Sequence, residues 1–428
     1  MLTTRPRGTN DFLPGEVEKW QFVENVFRDI CKEYAYGEIR TPIFEHTELF
    51  TRGVGETTDI VEKEMYTFND RSNRNITLRP ENTAPVVRAF LEHKLYSQTQ
   101  PTKLYYIGPM FRYDKPQSGR YRQFHQVGIE ILGAKSPAAD VETIELAVKY
   151  LERLGLKMKS VDEAGSLTLF INSIGCPACR PTHIRQLKDY LSERLEALCD
   201  DCSNRYMRNP LRVLDCKKEN CQEVASNAPS ILDSQCEECK EHFQGVREYL
   251  KAVEIPFEID SQMVRGLDYY SKTTFEITSD ALGSQSSVCG GGRYDGLVEL
   301  CGGDPTPGVG FALGIERLIL TVDKKSKVLP ETPPVDVFIA SIGSGTSLET
   351  FRTASKLRSE NISSDYDMLE RSLRGQMKYA DKINAKITLI IGEDELKRQA
   401  AVLRDMESGE QQEIPLSEVV IKVKELLK

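Results

Sequence analysis

Hydrophobic residues recur at helical spacing near the start of the chain and predict an amphipathic helix over residues 16–37. The residues that mark this helix are Val17, Trp20, Val23, Phe27 and Ile30. Helical patterns also occur over residues 83–95 and 136–156, and Ser136 or Asp140 is the expected cap of the latter helix. The first part of the chain therefore contains several helices that can pack on a sheet.

Two segments with alternating side chains, KLYYIGPMFRYD and FHQVGIEILG, predict a long antiparallel hairpin. One face of the second strand is apolar and should pack on a core; it carries His125, Val127, Ile129 and Ile131. The other face combines residues of both strands, namely Tyr106, Gly108, Met110, Arg112, Phe124, Gln126, Gly128 and Glu130. Because glycines let a ligand approach the backbone, this face is either a binding surface for a ligand with both charges or an ordinary solvent-facing strand.

Four further motifs supply arginines, carboxylates and glycines. TLRPENT contributes Arg79 and Glu81 before a helix, and VRGLDYY, expected to be a strand, contributes Arg265, Asp268, Tyr269 and Tyr270. GGGRYDG is a glycine run, and GIERL places Arg317 at a helix start after Gly310 and Gly314. The sequence shows neither a Ser-His-Asp set nor a P-loop. The pattern favours phosphate chemistry by positioning and charge neutralisation.

A linker separates a second domain from the first. The charged and proline-rich segment KKSKVLPETPP leads into alternating strands and helices, with helices predicted at 349–360, 373–383 and 416–427. This alternation predicts a small α/β domain. The resulting boundaries are a catalytic domain at 1–325, a helical, cysteine-paired insertion at 175–250, a linker at 326–334 and a C-terminal domain at 335–428.

Composition is that of an ordinary globular protein. Charged residues make up 28% of the chain, the formal net charge is −9, and no apolar run is long enough to cross a bilayer. The start of the chain lacks the apolar core of a signal peptide, so a cytoplasmic location is expected. With only 5 histidines, a metal centre built from histidine is not expected.

Eight of the 11 cysteines form four pairs along residues 176–239. The first two pairs, Cys176 with Cys179 and Cys199 with Cys202, match the C-x2-C, spacer, C-x2-C pattern of tetrahedral zinc sites. A structural Zn²⁺ bound by these four residues and a set of thiols without metal both remain open. The cysteines are expected to lie apart from the arginines and carboxylates, and no metal is assigned to that surface.

Motifs along most of the chain resemble those of the histidyl-tRNA synthetase family, a branch of the class II aminoacyl-tRNA synthetases. The matching segments are RGTNDFLPGE, TLRPENT, MFRYDKPQSGRYRQFHQVGIEILG, RGLDYY, GGRYDGL and GVGFALGIERL. The resemblance implies an α+β fold: a class II antiparallel sheet flanked by helices, a helical insertion and a C-terminal α/β anticodon-binding domain. It also implies a homodimer that first forms histidyl-adenylate from L-histidine and ATP, then transfers histidine to tRNA(His).

The resemblance also implies roles for individual residues. The histidine pocket would comprise Glu81, Thr83, Arg112, Gln126, Glu130, Arg265, Tyr269, Tyr270 and Tyr294. Among them, Glu81, Thr83 and Gln126 match positions for the ammonium group. Glu130 and Tyr270 can bond the two imidazole nitrogens.

The ATP site would comprise Arg112, Arg265 and Arg317, with Mg²⁺ on the pyrophosphate. Arg112 and Arg265 would be the catalytic cations at the α-phosphate, and Arg317 would lie near the γ-phosphate. Gln117 and Arg122 match positions that contact the acceptor end of the tRNA.

Two other functions are compatible with parts of this pattern. One is a regulatory paralogue that serves as a subunit of ATP phosphoribosyltransferase; such paralogues typically lack the C-terminal domain and have degraded motifs. The other is a zinc-stabilised nucleic-acid-binding protein that acts through the cysteine-paired insertion. Histidine-dependent exchange of pyrophosphate into ATP separates both from a synthetase, since neither would catalyse it.

Overall fold

The computed structural model describes residues 3–55, 58–159, 166–282 and 287–428. The chain divides into two compact units, Met1–Pro330 and Glu331–Lys428. Each unit has its own hydrophobic core. Within the described ranges, no helix is both long enough and apolar enough to cross a membrane.

Strands and helices of the first unit alternate irregularly along the chain. The strands are β1 (Gly37–Glu38), β2 (Phe44–His46), β3 (Tyr66–Asn69), β4 (Asn75–Leu78), β5 (Thr102–Phe111), β6 (Gln123–Leu132), β7 (Leu167–Ser173), β8 (Glu258–Ile259), β9 (Ser271–Ser279), β10 (Ser287–Arg293) and β11 (Gly308–Gly314). The helices are α1 (Val17–Glu33), α2 (Thr47–Val54), α3 (Thr83–Glu92), α4 (Pro137–Arg153), α5 (Arg180–Ser192), α6 (Asp200–Arg208), α7 (Glu219–Ser226), α8 (Glu237–Ala252), α9 (Leu297–Leu300) and α10 (Ile315–Lys325).

An eight-stranded sheet organises this unit in the order β1-β5-β6-β11-β10-β9-β7-β8. All neighbours from β5 to β7 are antiparallel, whereas β1 and β8 join the two edges in parallel. A smaller sheet, β2-β4-β3, lies beside α2 and leads into α3. The predicted α+β class is confirmed.

The predicted hairpin is formed by β5 and β6. Tyr106 pairs with Gly128, and Gly108 pairs with Gln126, so these residues share one face as expected. Val127, Ile129 and Ile131 lie on the other face and pack in one core with α1 and α4. Burial of each such side chain contributes roughly 1.5–3 kcal/mol, which favours this register over a slip by one residue.

Helix α4 is capped by Ser136, whose hydroxyl accepts from the backbone N–H of Ala138 at 3.2 Å. Asp140, the alternative cap, is instead fully buried beside Arg293 of β10. Arg293 also donates to the carbonyl oxygen of Ala134 at 2.8 Å. The arginine of the GGRYDGL motif therefore fastens α4 to the sheet.

The insertion is helical, as predicted, and comprises α5 to α8. The hydrophobic core shared by α5 to α7 is small; it consists of Leu187, Leu191, Leu198, Cys202, Val213, Cys221, Val224 and Ala228. Two of these residues are cysteines from the pairs noted in the sequence.

The second unit contains a five-stranded sheet in the order β13-β12-β14-β15-β16. Its strands are β12 (Val337–Ile342), β13 (Ser364–Tyr366), β14 (Ile387–Gly392), β15 (Ala400–Asp405) and β16 (Gln411–Pro415). Its helices are α11 (Thr346–Ser359), α12 (Leu373–Lys382), α13 (Glu393–Lys397) and α14 (Val419–Leu426). The alternating part was predicted. The antiparallel hairpin of β15 and β16 was not, because polar β16 is largely exposed at the sheet edge.

Candidate active site

A cavity of about 830 Å³ lies on the face of the large sheet opposite α1 and α4. The elements β5, β6, β9, β10 and β11, the start of α3 and the loop before β9 contribute to its wall. Most of the predicted site residues line it together: Glu81, Thr83, Arg112, Gln126, Glu130, Arg265, Tyr269, Tyr270, Tyr294 and Arg317.

Glu130 is a carboxylate of this wall and is 1% exposed. The Tyr294 hydroxyl donates to its Oε2 at 2.6 Å, and the Thr83 hydroxyl donates to its Oε1 at 2.7 Å. Burial raises the pKa of Glu130 to about 8, against the lowering effect of these two hydrogen bonds. The site can therefore hold or release a proton near neutral pH, a property suited to an imidazole partner.

Glu81 lies at the start of α3, where the backbone N–H groups of Thr83 and Ala84 donate to its carboxylate at 2.7 and 3.0 Å. Burial raises its pKa even so. On the same cavity wall, the amide oxygen of Gln126 is buried and accepts no hydrogen bond from the described residues. An unpaired acceptor and a carboxylate in one cavity provide a place for a ligand ammonium group.

Arg112 continues the β5 face into the cavity. Its Nε donates to the carbonyl oxygen of Pro80 at 2.8 Å, and its guanidinium lies 5.4 Å from the centre of the Phe124 ring. Burial lowers its pKa, but an arginine remains charged at neutral pH. Arg112 thus presents a fixed positive charge at the wall.

Arg265 lies in a loop, not on the strand predicted for VRGLDYY; that motif lies between β8 and β9. Its Nη1 forms an ion pair with Glu276 of β9 at 2.8 Å. Burial opposes the charged form, yet the Glu276 carboxylate raises the pKa of Arg265 overall. Glu276 was not predicted as a site residue from the sequence. Its alternation with buried residues along β9 is the pattern that could have indicated it.

The same loop carries two aromatic residues, Tyr269 and Tyr270, which pack with their ring centres 4.8 Å apart. Burial raises the pKa of Tyr270 to about 12, so its hydroxyl stays protonated. Asp268 is absent from the cavity wall; its carboxylate accepts from Arg212 of the insertion at 3.0 Å. This contact fastens the loop to the insertion.

Arg317 begins α10 as predicted. Its Nη1 donates to the carbonyl oxygen of Ser287 at 3.1 Å, and its Nε donates to that of Gly119 at 3.3 Å. Gly119 belongs to the loop between β5 and β6, so Arg317 connects this loop to β10. Burial lowers the pKa of Arg317.

The glycines of the hairpin do not leave the backbone open to a ligand, and that prediction is wrong. A Cβ on Gly108 would lie 2.5 Å from Nη2 of Arg79, and one on Gly128 would lie 2.4 Å from the hydroxyl of Tyr106. Both glycines therefore make room for side chains of the protein. Arg79 itself donates to the carbonyl oxygens of Pro109 and Thr41 and is not part of the cavity wall.

Gln117 and Arg122 do not line the cavity. Gln117 is exposed at the tip of the loop between β5 and β6 and forms a backbone bridge with Arg120. The guanidinium of Arg122 lies 3.8 Å from the centre of the Tyr113 ring. Gln117 and Arg122 thus lie on the loop between β5 and β6, outside the cavity wall, whereas Arg120 of the same loop lines the cavity.

The prediction that the cysteine-rich segment lies apart from this surface is wrong. Asp215, Cys216, Lys217 and Lys218 all line the cavity. The grouping of cysteines is also different: one cluster contains Cys176, Cys179, Cys236 and Cys239, and the other contains Cys199, Cys202, Cys216 and Cys221. The four residues predicted to share one site are thus divided between two, because the chain folds back on itself within the insertion.

Comparisons with known proteins give matches along almost the whole chain. Residues 8–318 match the family model for histidyl-tRNA synthetase, and residues 336–426 match an anticodon-binding domain. A histidine-tRNA ligase from Desulforamulus reducens is 56% identical over 99% of both chains. One from Pelotomaculum thermopropionicum is 56% identical over 99% of this chain and 98% of its own. The apo S. aureus histidyl-tRNA synthetase structure has a TM-score of 0.82 at 38% identity, covering 99% of this chain and 100% of its own.

Proposed function

Because the chain belongs to the histidyl-tRNA synthetase family, we propose that the cavity binds L-histidine and ATP side by side and joins them. The chain is a histidine-tRNA ligase, an aminoacyl-tRNA synthetase. One observation carries the assignment of the site: the buried carboxyl group of Glu130 and the partly buried guanidinium of Arg265 line the same cavity. The first suits an imidazole and the second suits a phosphate.

Glu130 is the imidazole partner in this proposal. Its pKa of about 8 and the ordinary imidazole pKa of about 6.5 are close enough for the pair to share one proton. A ring N–H then donates to the carboxylate, which Tyr294 and Thr83 hold in place. Tyr270 contacts the other nitrogen of the imidazole, and the ring of Tyr269 packs against that of Tyr270.

The amino-acid backbone of histidine binds nearer the start of α3. Its ammonium group donates to the unpaired amide oxygen of Gln126 and lies near Glu81, whose charge is stabilised by backbone N–H groups. Its carboxylate faces Arg112 and Arg265. The two ends of the amino acid are thereby fixed by opposite charges.

Three arginines receive the triphosphate. Arg112 and Arg265 bind the α-phosphate, and Arg317 binds the γ-phosphate at the loop side of the cavity. A histidine carboxylate oxygen attacks the α-phosphorus, the bond to the bridging oxygen breaks, and pyrophosphate leaves. Arg265, already oriented by Glu276, stabilises the charge that grows on the α-phosphate.

Mg²⁺ fits this donor set. The carboxylate of Glu276 lines the cavity beside Arg265, and Mg²⁺ is usually held by one or two carboxylates together with substrate phosphates. When bound, Mg²⁺ neutralises the charge of the leaving pyrophosphate.

The tRNA approaches from the loop between β5 and β6, where Gln117 and Arg122 contact its acceptor end. A ribose hydroxyl of the terminal adenosine then attacks the histidyl carbonyl carbon, and AMP leaves.

The C-terminal domain, residues 335–428, binds the anticodon. The linker 326–334 joins it to the catalytic domain, residues 1–325, which contains the insertion at 175–250. We further propose that the protein acts in the cytoplasm as a homodimer, and sedimentation of the purified protein tests the dimer.

The experiment for this function is exchange of labelled pyrophosphate into ATP, measured with and without histidine. Histidine-dependent exchange, followed by charging of tRNA(His) in a tRNA mixture, is the expected result. Exchange without dependence on histidine would contradict the imidazole assignment. Absence of exchange would favour the regulatory paralogue of ATP phosphoribosyltransferase, which the full-length matches to ligases disfavour.

A further inference from the structure

The neck cluster, which we define as Cys176, Cys179, Cys236 and Cys239, brings together both ends of the insertion. Its Sγ–Sγ distances are 3.7 Å from Cys176 to Cys179, 3.7 Å from Cys176 to Cys236 and 3.8 Å from Cys179 to Cys239. Four thiolates at about 2.3 Å from a tetrahedral metal ion lie about 3.8 Å from one another. These distances match that arrangement and are far longer than a disulfide bond of about 2.05 Å.

The tip cluster, which we define as Cys199, Cys202, Cys216 and Cys221, repeats this arrangement within the insertion. Its four Sγ atoms all lie within 4.8 Å of one another, and the distance from Cys199 to Cys216 is 4.0 Å. The backbone N–H of Cys199 donates to the sulfur of Cys221 at 3.2 Å. This hydrogen bond holds the sulfur of Cys221 next to Cys199.

Sequence spacing agrees with both clusters. Three of the four pairs have two residues between the cysteines, and Cys216 and Cys221 have four. This is the C-x2–4-C spacing of structural zinc sites, in which each pair supplies two ligands from one tight turn. The clusters are nested along the chain: the first and last pairs form the neck cluster, and the two middle pairs form the tip cluster.

The packing of the insertion gives the metal a physical role. The core shared by α5 to α7 is small, and Cys202 and Cys221 are part of it. Four thiols gathered in such a core would bury weakly paired polar groups, whereas a bound cation converts them into ligands and crosslinks their segments. The few apolar side chains of this core bury too little surface to stabilise the insertion alone, and a structural metal would supply the missing stability.

We propose that the neck cluster and the tip cluster are two separate, closed Zn²⁺ sites, each with four cysteine ligands. The neck site holds the start of α5 and the start of α8 beside the histidine pocket. There Arg180, next to Cys179, donates to the carbonyl oxygen of Tyr270 at 2.5 Å. The tip site holds the segment of Lys217 and Lys218 against the cavity wall.

Elemental analysis of the full chain, purified without chelator, tests the proposal directly. Two zinc ions per chain are expected, one for each cluster. The X-ray absorption of the bound zinc should show only sulfur neighbours, at about 2.3 Å. Zinc near zero, iron with its thiolate absorption bands, or disulfides found by non-reducing mass spectrometry would each overturn the proposal.

Variants assign the ions to the two clusters. Replacing Cys236 and Cys239 together by serine should lower the content from two zinc ions to one, and replacing Cys202 and Cys221 should do the same independently. Cys301→Ser is the matched control, since this half-buried cysteine belongs to neither cluster. An unchanged content in either double variant, or a loss in the control, would contradict the assignment.

A titration of the unmodified protein keeps the test decisive if a variant fails to fold. A mercurial that blocks thiols should release zinc, detected with a colorimetric indicator, until two ions have left the chain. Release of fewer than one ion would overturn both sites. This readout does not depend on ligase activity, so it stands apart from the test of the proposed function.

Discussion

The guanidinium of Arg265 lies against the backbone of Gly290, so closely that a Cβ there would be 2.1 Å from Nη2. Arg265 comes from the loop before β9, and Gly290 lies in the middle of β10. Glu276 of β9 holds the same guanidinium at 2.8 Å. The absence of a side chain at Gly290 and the carboxylate of Glu276 together fix the position of the Arg265 charge, which is proposed to stabilise the α-phosphate.

Arg265→Ala should abolish most adenylate formation while the fold remains intact. Removal of one preorganised charge of this kind costs about 10²–10³ in rate. Single-turnover formation of histidyl-adenylate measures the effect, and a thermal melt serves as the control for folding. A rate close to that of the unmodified protein would remove Arg265 from the catalytic role.

Gly290→Ala should impair the same step without removing any functional group. The added methyl group would meet the far end of the Arg265 side chain, which can move, so the fold should survive and the charge should be displaced. A displacement of about 1 Å can cost roughly 10²-fold in rate. Gly296→Ala is the matched control, because a Cβ at that position meets nothing within 4 Å. Equal rates in both variants would contradict this role of Gly290.

The hairpin of β5 and β6 was predictable because its side chains alternate without interruption and only one register buries Val127 and Ile129. The side chains that cover its glycines were predictable only in part. Tyr106 covers Gly128 from the paired position of the neighbouring strand, whereas Arg79, which covers Gly108, comes from outside the hairpin, and no local pattern reveals it.

The conformation of VRGLDYY was predicted wrongly for a related reason. Its valine and tyrosines have strand propensity, but Arg212 of the insertion binds the carbonyl oxygen of Gly266 and the carboxylate of Asp268. These tertiary contacts favour a loop.

The grouping of the cysteines into two clusters also could not be predicted from the sequence. Four pairs can be combined in several ways, and only the fold selects one combination.

Deletion of residues 335–428 should reduce charging of tRNA far more than adenylate formation. The second unit has its own core, and the cavity is built entirely from the first unit. Initial rates of aminoacylation and of pyrophosphate exchange measure the two activities. Sedimentation shows whether the truncated chain keeps the oligomeric state of the full chain. Equal loss of both activities in a truncated chain of unchanged oligomeric state would contradict separate roles for the two units.

Glu130→Gln should raise the KM for histidine more than the KM for ATP. The variant keeps the size of the side chain but loses a charge-assisted hydrogen bond to the imidazole, worth roughly 1.5–3 kcal/mol. That range corresponds to about a 10- to 100-fold change in binding. Pyrophosphate exchange at varied concentrations of each substrate measures both constants, and an equal rise in both would count against a specific imidazole contact.

The pH dependence of stability should also change in Glu130→Gln. The pKa of Glu130 is about 8 in the folded protein and about 4.5 in the unfolded chain, so between these values the folded state binds more protons. Its contribution to stability is therefore full below about pH 4.5 and is lost as pH rises through 8. Thermal melts of both proteins without substrate, between pH 5 and 8.5, should show the unmodified protein losing stability relative to the variant as pH rises. Parallel curves would mean that Glu130 keeps an ordinary pKa in the folded state.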